Sequence, residues 1–220
     1  MYICGLVSDP VFMRFIYVWS VLVSILGAAC QPESANQQKA SLFLEQAKNY
    51  VYEAKVPEAI EAFGKALEAD STLAEAYFGR AFCYEEIDSI QAALRDYDRC
   101  IAFDGQLVDA YNNRGELKRR FLKDYAAALQ DYEQAIRLKP EIAGLYFNKG
   151  LVLKEMTQND QALAAFTEAI RLSPNSAEAY FQRALLLFAT GHQARACQDW
   201  GKAYRLGKAE SADWVSEYCL

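Results

Sequence analysis

Histidine is almost missing from this chain, which has one, His192, in 220 residues. It stands beside Gly191 with no cysteine or carboxylate cluster around it in sequence, so it reads as a solvated turn residue rather than a general base or metal ligand. Also missing are a Gly-rich phosphate loop, a Gly-x-Ser-x-Gly elbow and a His-Glu-x-x-His run. Paired carboxylates such as Glu85-Glu86 occur, but solvated helix faces normally carry them. No catalysis, small-molecule substrate, cofactor or metal is expected. Nor is there a basic block to follow a phosphate backbone: 23 Lys and Arg face 29 Asp and Glu, a formal net charge of −6. Nucleic acid is excluded as a partner on that ground.

What the chain does have is one spaced pattern, copied five times from about residue 40 onward. Aligned on Ala59-Ile60, Ala93-Leu94, Ala128-Leu129, Ala162-Leu163 and Ala196-Cys197, the copies stand 34, 35, 34 and 34 residues apart. Upstream lie the aromatics Phe43, Tyr77, Tyr111, Tyr146 and Tyr180, then the small residues Ala47, Ala81, Gly115, Gly150 and Ala184. Downstream come Phe63, Tyr97, Tyr132, Phe166 and Trp200, then Ala66, Cys100, Ala135, Ala169 and Ala203. Such a period predicts stacked helical hairpins, each too small to bury its own apolar face. Small residues recur where two helices approach closely, and large aromatics fill the layer between hairpins. Pro140 and Pro174 fall just before the next copy's first helix, with Ser71 and Gly105 in the equivalent slots.

This pattern resembles the tetratricopeptide repeat (TPR), whose signature is an aromatic, a small residue, an alanine, an aromatic, an alanine and a closing proline over about 34 residues. The resemblance covers about residues 40 to 208. It implies an all-α, right-handed solenoid of five helix-turn-helix repeats at 40–73, 74–107, 108–142, 143–176 and 177–208. Residues 209–220 read as a capping helix. The third repeat carries one extra residue between its helices, near Phe121 to Asp124, which leaves the role of Lys118 open.

One departure from the family is informative. Where TPRs commonly carry leucine before the first small residue, this chain has Gln46, Arg80, Arg114, Lys149 and Arg183. The residue before the second aromatic is Ala62, Asp96, Asp131, Ala165 and Asp199, so Asp accompanies Arg and only Arg. Three Arg–Asp pairs bridging the helices of repeats two, three and five are expected: Arg80–Asp96, Arg114–Asp131 and Arg183–Asp199. Bidentate geometry explains why Lys149 has no such partner. Largely exposed pairs would each contribute only about 0.2–1 kcal/mol and serve to orient the hairpins.

Residues 1–29 lie outside the repeat and read as a signal peptide: after Arg14 comes an apolar run of about fifteen residues ending in small ones, short of the roughly 20 that a spanning helix needs. Cys4 and Asp9 upstream are unusual, which makes Met13 a candidate start. Gly27-Ala28-Ala29-Cys30 resembles a bacterial lipobox, although Gly27 stands where leucine is usual. The resemblance implies cleavage before Cys30 and its lipidation by diacylglycerol and an acyl chain such as palmitate. Ordinary cleavage near Ala29 and an uncleaved anchor are the alternatives. Two or three acyl chains hold a protein stably to a membrane. Gln31, where Asp would signal inner-membrane retention, favours the outer membrane, facing the periplasm. Residues 30–39 then read as the lipidated cysteine and a polar tether. In an exported protein a Cys197–Cys219 disulfide is open to the last repeat if the cap folds back, while Cys83 and Cys100 read as small core residues.

In TPR arrays the first helix of each repeat lines a concave peptide-binding groove. By that resemblance Leu44, Phe78, Asn112, Phe147 and Phe181 point there. Lys48, Phe82, Glu116, Leu151 and Leu185 follow four residues on, and Arg119, Lys154 and Phe188 one turn later. Glu45, Gly79, Asn113, Asn148 and Gln182 stand where amides bond a peptide backbone. The groove residues expected are Phe78, Phe82, Asn113, Phe147, Asn148, Lys154, Phe181 and Gln182. Packing of the Phe rings between neighbouring first helices is the competing placement. A carboxylate clamp of the chaperone-binding TPR type is not expected, because Glu75, Asp109 and Glu178 stand where that clamp needs Lys. The resulting expectation is a non-catalytic, lipid-anchored scaffold that binds a protein or peptide at the cell envelope. The alternative is a permanent subunit of an envelope complex for pilus, secretin or outer-membrane protein assembly.

Overall fold

A capping box opens the first helix. Ser34 Oγ accepts the Gln37 N–H at 3.2 Å, and Gln37 Oε1 accepts the Ser34 N–H at 2.9 Å, so two otherwise unpaired helix-start donors are satisfied. The computed structural model describes residues 34–219. The expected signal peptide at 1–29, the expected lipidation of Cys30 and the candidate start at Met13 lie outside them. The expected tether at 30–39 needs correction, because the capping box places residues 35–39 in the first helix.

Among the described residues there are eleven α-helices and no strand: α1 (Ala35–Tyr52), α2 (Val56–Ala69), α3 (Ala74–Glu86), α4 (Ile90–Phe103), α5 (Val108–Leu117), α6 (Tyr125–Leu138), α7 (Ala143–Glu155), α8 (Asn159–Leu172), α9 (Ala177–Ala189), α10 (Gln193–Arg205) and α11 (Ser211–Tyr218). Five hairpins pair α1 with α2, α3 with α4, α5 with α6, α7 with α8 and α9 with α10, and each second helix also packs on the next hairpin's first helix. The second-helix aromatics Phe63, Tyr97, Tyr132, Phe166 and Trp200 are all buried between these layers, beside fully buried Ala47, Ala81 and Ala184. These are the positions that the repeat pattern reserves for large and small side chains.

The hairpin turns share one backbone device. Ala54, Asp88, Lys123, Thr157 and Gly191 all have positive φ, between 54° and 82°, at matching positions of the five copies. This left-handed residue ends each first helix. Only the fifth copy supplies the glycine that makes it strain-free, so the sequence carries little sign of the other four. Ser71, Gly105, Pro140 and Pro174 occupy equivalent slots in the turns between hairpins.

The extra residue of the third copy does not lengthen a loop as the sequence suggests. It is absorbed in a π-helical turn, Lys118–Leu122, that continues α5 and ends at left-handed Lys123. Widening one helical turn accommodates an inserted residue without breaking the hairpin. Lys118 then reaches its own hairpin's second helix, where its Nζ lies 2.8 Å from Asp131 Oδ2.

Helix α11 folds back over the last hairpin. Trp214 stacks on Trp200 with ring centroids 4.9 Å apart, and Tyr218 lies 4.7 Å from Phe188. A disulfide joins Cys197 of α10 to Cys219, just after α11, with Cα atoms 5.6 Å apart. Cys83 and Cys100 are free and buried, and burial pushes both thiols up to about 11.

Candidate functional site

Polar side chains join neighbouring first helices at three of the four steps along the array. Lys48 of α1 pairs with Glu75 of α3 at 2.7 Å. Asn148 of α7 donates to Asn112 of α5 at 2.9 Å. Lys154 of α7 donates to Gln182 of α9 at 2.8 Å. Beyond α9, Lys208 donates to Glu178 at 2.6 Å, with its ammonium 4.9 Å from the Phe181 ring centre.

These contacts change the expected groove. Asn113 donates to Tyr97 Oη at 3.2 Å and Gln182 to Glu178 at 2.9 Å. Asn113, Asn148, Lys154 and Gln182 thus already bond within the chain. Phe181 is a correction: it is only 3% exposed and belongs to the core under the cap, because α11 and Lys208 cover that end of the array. Leu44 is likewise buried. Phe147 is half-buried against Phe166, with centroids 5.8 Å apart. Phe188 is enclosed by Trp200, Trp214 and Tyr218. In the C-terminal half, packing wins the contest for these rings.

The N-terminal half keeps an apolar opening. A cavity of about 240 Å³ lies between the first two hairpins, lined by Lys48, Val51, Phe63, Glu75, Phe78, Gly79 and Phe82. Phe82 stands at it 42% exposed, while Phe78 packs edge-on against Tyr97 at 5.9 Å. Lys48 and Glu75 stand at groove positions read from the resemblance, whereas Val51 and Phe63 are not among the positions expected there. The signal for them was Gly79: at the position where three later copies carry Asn or Gln, glycine leaves room for Phe63. Farther along, Tyr97 donates its hydroxyl to Glu85, and Tyr132 donates to Glu116 Oε2 at 3.0 Å. Glu116 is also gripped by Arg119 at 2.7 Å. Burial, opposed by the Tyr97 hydroxyl, raises the Glu85 carboxyl above its ordinary range. Burial and the neighbouring Glu85 or Glu116 also raise the Tyr97 and Tyr132 hydroxyls, which stay protonated donors.

None of the paired Arg and Asp residues lines this opening. Arg80 Nε and Nη2 donate to Asp96 at 2.7 and 2.9 Å, and Arg183 makes the same two bonds to Asp199 at 2.7 and 2.9 Å. Arg114 donates to Asp131 at 3.0 and 2.5 Å. The carboxylates are 6%, 3% and 7% exposed at Asp96, Asp131 and Asp199, so the weak, exposed case does not apply. Lys149 instead bonds Glu133 of the preceding hairpin at 2.8 Å. His192 is exposed at the start of α10, with Nδ1 3.2 Å from Thr190 Oγ1. Among the described residues no group of three or more His, Cys, Asp or Glu is placed to hold a metal ion, and no helix is long and apolar enough to cross a membrane.

Known proteins share this architecture. Hsp70-Hsp90 organizing protein 3 of Arabidopsis thaliana is 28% identical over 81 residues, which are 37% of this chain and 14% of that protein. The wheat (Triticum aestivum) Hsp70-Hsp90 organizing protein is 27% identical over 94 residues, 43% of this chain and 15% of its own length. The chain thus spans about a seventh of these relatives. Among solved structures, MamA from Desulfovibrio magneticus RS-1 superposes with a TM-score of 0.72 at 17% identity, covering 78% of this chain and 96% of that one. PilF of Pseudomonas aeruginosa does so at 0.68 and 23% identity, covering 84% and 90%. YrrB, described as a TPR protein with an unusual peptide-binding site, matches at 0.68 and 20% identity, covering 76% and 85%. These likenesses show the fold. The family described as "Tetratricopeptide repeat" matches residues 44–106 and 147–213, and the one described as "TPR repeat" matches 121–157. Five stacked hairpins and matches over most of its length make this chain a member of the tetratricopeptide repeat family.

Proposed function

We propose that this chain is a non-catalytic scaffold that binds a protein or peptide partner in the groove lined by its first helices, and that a lipidated Cys30 holds it to the bacterial cell envelope, on the periplasmic side of the outer membrane. The observation that carries the binding reading is the apolar opening at Phe82. Its volume of about 240 Å³ falls below the roughly 300–1,000 Å³ of small-molecule pockets. It suits one large apolar side chain delivered by a peptide. The likeness to YrrB, described as having an unusual peptide-binding site, supports this.

Hsp70-Hsp90 organizing proteins are relatives, but chaperone-tail binding of the clamp type does not suit this chain. Glu75 and Glu178 occupy the positions where the clamp needs cations, and both are engaged by Lys48 and Lys208. The lipid anchor rests on the Gly27-Ala28-Ala29-Cys30 junction.

Two experiments test the proposal. Affinity purification from membranes should lose one abundant partner when Phe82 is changed to Glu while helicity is unchanged; an identical partner list would refute groove binding. Metabolic labelling with an alkyne palmitate analogue should mark wild type and not Cys30→Ser, and an unlabelled wild type would refute the anchor.

A further inference from the structure

Glu85 is a half-buried groove carboxylate that makes no salt bridge among the described residues. The position one turn beyond the apolar opening holds Val51, Glu85, Arg119, Lys154 and Phe188 in the five first helices. Val51 lines the cavity and Phe188 lies under the cap. Arg119 is paired with Glu116 and Lys154 bonds Gln182. Arg120 acts on Glu85 only at longer range and pairs weakly with Glu116 at 3.8 Å, and the one hydrogen bond to Glu85 comes from the uncharged Tyr97 hydroxyl.

Its placement ties it to the opening. Phe78, Phe82 and Glu85 follow i, i+4, i+7 spacing and share one face of α3. Tyr97, which orients the Glu85 carboxylate, is the ring on which Phe78 packs. Glu85 also lies in the last turn of α3, where the helix dipole disfavours an anion and favours a cation. Glu86 stands next to it and carries no ion pair among the described residues either.

We infer that the partner segment carries a large apolar side chain for the Phe78–Phe82 opening and, beside it, a lysine or arginine that pairs with Glu85. The inference rests on the groove reading above and specifies its ligand as a basic-apolar peptide. Three helical residues separate Phe82 from Glu85, about 4.5 Å along the axis. An extended partner, rising roughly 3.3 Å per residue, therefore places its cation one or two residues from its apolar anchor. Desolvating a half-buried carboxylate against a cation gives a charge-assisted bond stronger than a neutral one.

The test is selection of peptides from a random twelve-residue display library on the full-length chain in detergent, with wild type, Glu85→Gln, Glu85→Arg and Phe82→Ala in parallel, each checked for helicity and melting. Wild type should select peptides with Lys or Arg one or two residues from a large apolar residue. Glu85→Gln, which keeps the side-chain shape, should select the apolar residue alone and bind the best wild-type peptide about tenfold more weakly. Glu85→Arg should favour acidic residues there. If wild-type peptides lack basic enrichment, or keep it on Glu85→Gln, while Phe82→Ala abolishes selection, the Glu85 inference fails and groove binding stands. If wild type selects nothing, or Phe82→Ala selects the same peptides, both fail.

Discussion

A Cβ built on Gly79 would stand 2.3 Å from Cζ of Phe63, so the ring of the first hairpin fills the space where the second would carry a side chain. Phe63 is 2% exposed, and it lines the apolar opening together with Gly79. The absence of one side chain therefore shapes the floor of the candidate site. Gly79→Ala must push a buried ring aside, and overpacking of this kind costs about 1–3 kcal/mol. Gly201→Ala, whose nearest neighbour would be the flexible end of Arg205 at 3.5 Å, should be neutral or slightly stabilising through helix propensity. Urea unfolding of the two variants separates these outcomes; equal midpoints would mean that Phe63 relaxes freely.

Asp131 balances two cations, Arg114 and Lys118. Removing this buried carboxylate leaves Lys118 unpaired and Arg114 with only the exposed Asp98, and breaking a buried pair typically costs about 3–5 kcal/mol. Asp131→Asn should therefore be strongly destabilising in thermal or urea unfolding. Glu133→Gln, which loses only the part-exposed bond from Lys149, should change stability by less than about 1 kcal/mol. Similar losses for the two would show that the Arg–Asp bridge does not hold the hairpin.

Much of this was legible in the sequence because the repeat constrains size at fixed positions. The period placed Phe63, Tyr97, Tyr132, Phe166 and Trp200, and the Arg–Asp covariation named the bridge across each of three hairpins. What escaped was local or depended on neighbours. Ala54, Asp88, Lys123 and Thr157 give no sign of their left-handed backbone, since only Gly191 has the expected residue type. The inserted residue looked like loop because periodicity does not distinguish a longer turn from a π-helical one. Phe181 looked like groove because its offset matches Phe78; Lys208, at the very end of the last repeat, and the cap beyond it cover that end of the array. Equivalent positions in a solenoid differ at its ends, where the neighbour changes.

Burial raises the Glu85 carboxyl, with Glu86 and Glu116 acting in the same direction and the Tyr97 hydroxyl and Arg120 opposing. A raised folded-state value means that the stabilising contribution is present below the ordinary carboxyl range and lost as pH rises through the folded value. Glu85→Gln should thus be more stable than wild type at pH 7, and the difference should vanish below about pH 4. Urea midpoints measured across that range test the sign; a variant less stable at pH 7 would mean that the Tyr97 bond outweighs burial. A neutral-pH gain would fit a carboxylate kept for binding at the expense of stability.

The disulfide between Cys197 and Cys219 closes a loop with a sequence separation of 22, worth about 3 kcal/mol in the chain-entropy account. Cys219→Ser should lower the melting temperature and loosen α11, exposing Trp214 and Trp200 to water with a red shift in tryptophan emission. A dithiol reductant should shift wild type towards the variant and leave the variant unchanged. Identical melting of wild type and variant would show that aromatic packing alone holds the cap.

The most direct test of groove binding is site-specific photocrosslinking in cell envelopes, with a benzophenone side chain placed at Phe82 in one variant and at Arg95, on the exposed surface of α4, in another. Binding in the groove should give a discrete crosslinked partner from position 82 and none from position 95. The same products from both positions, or a partner captured only at 95, would contradict it and move binding away from the first-helix face.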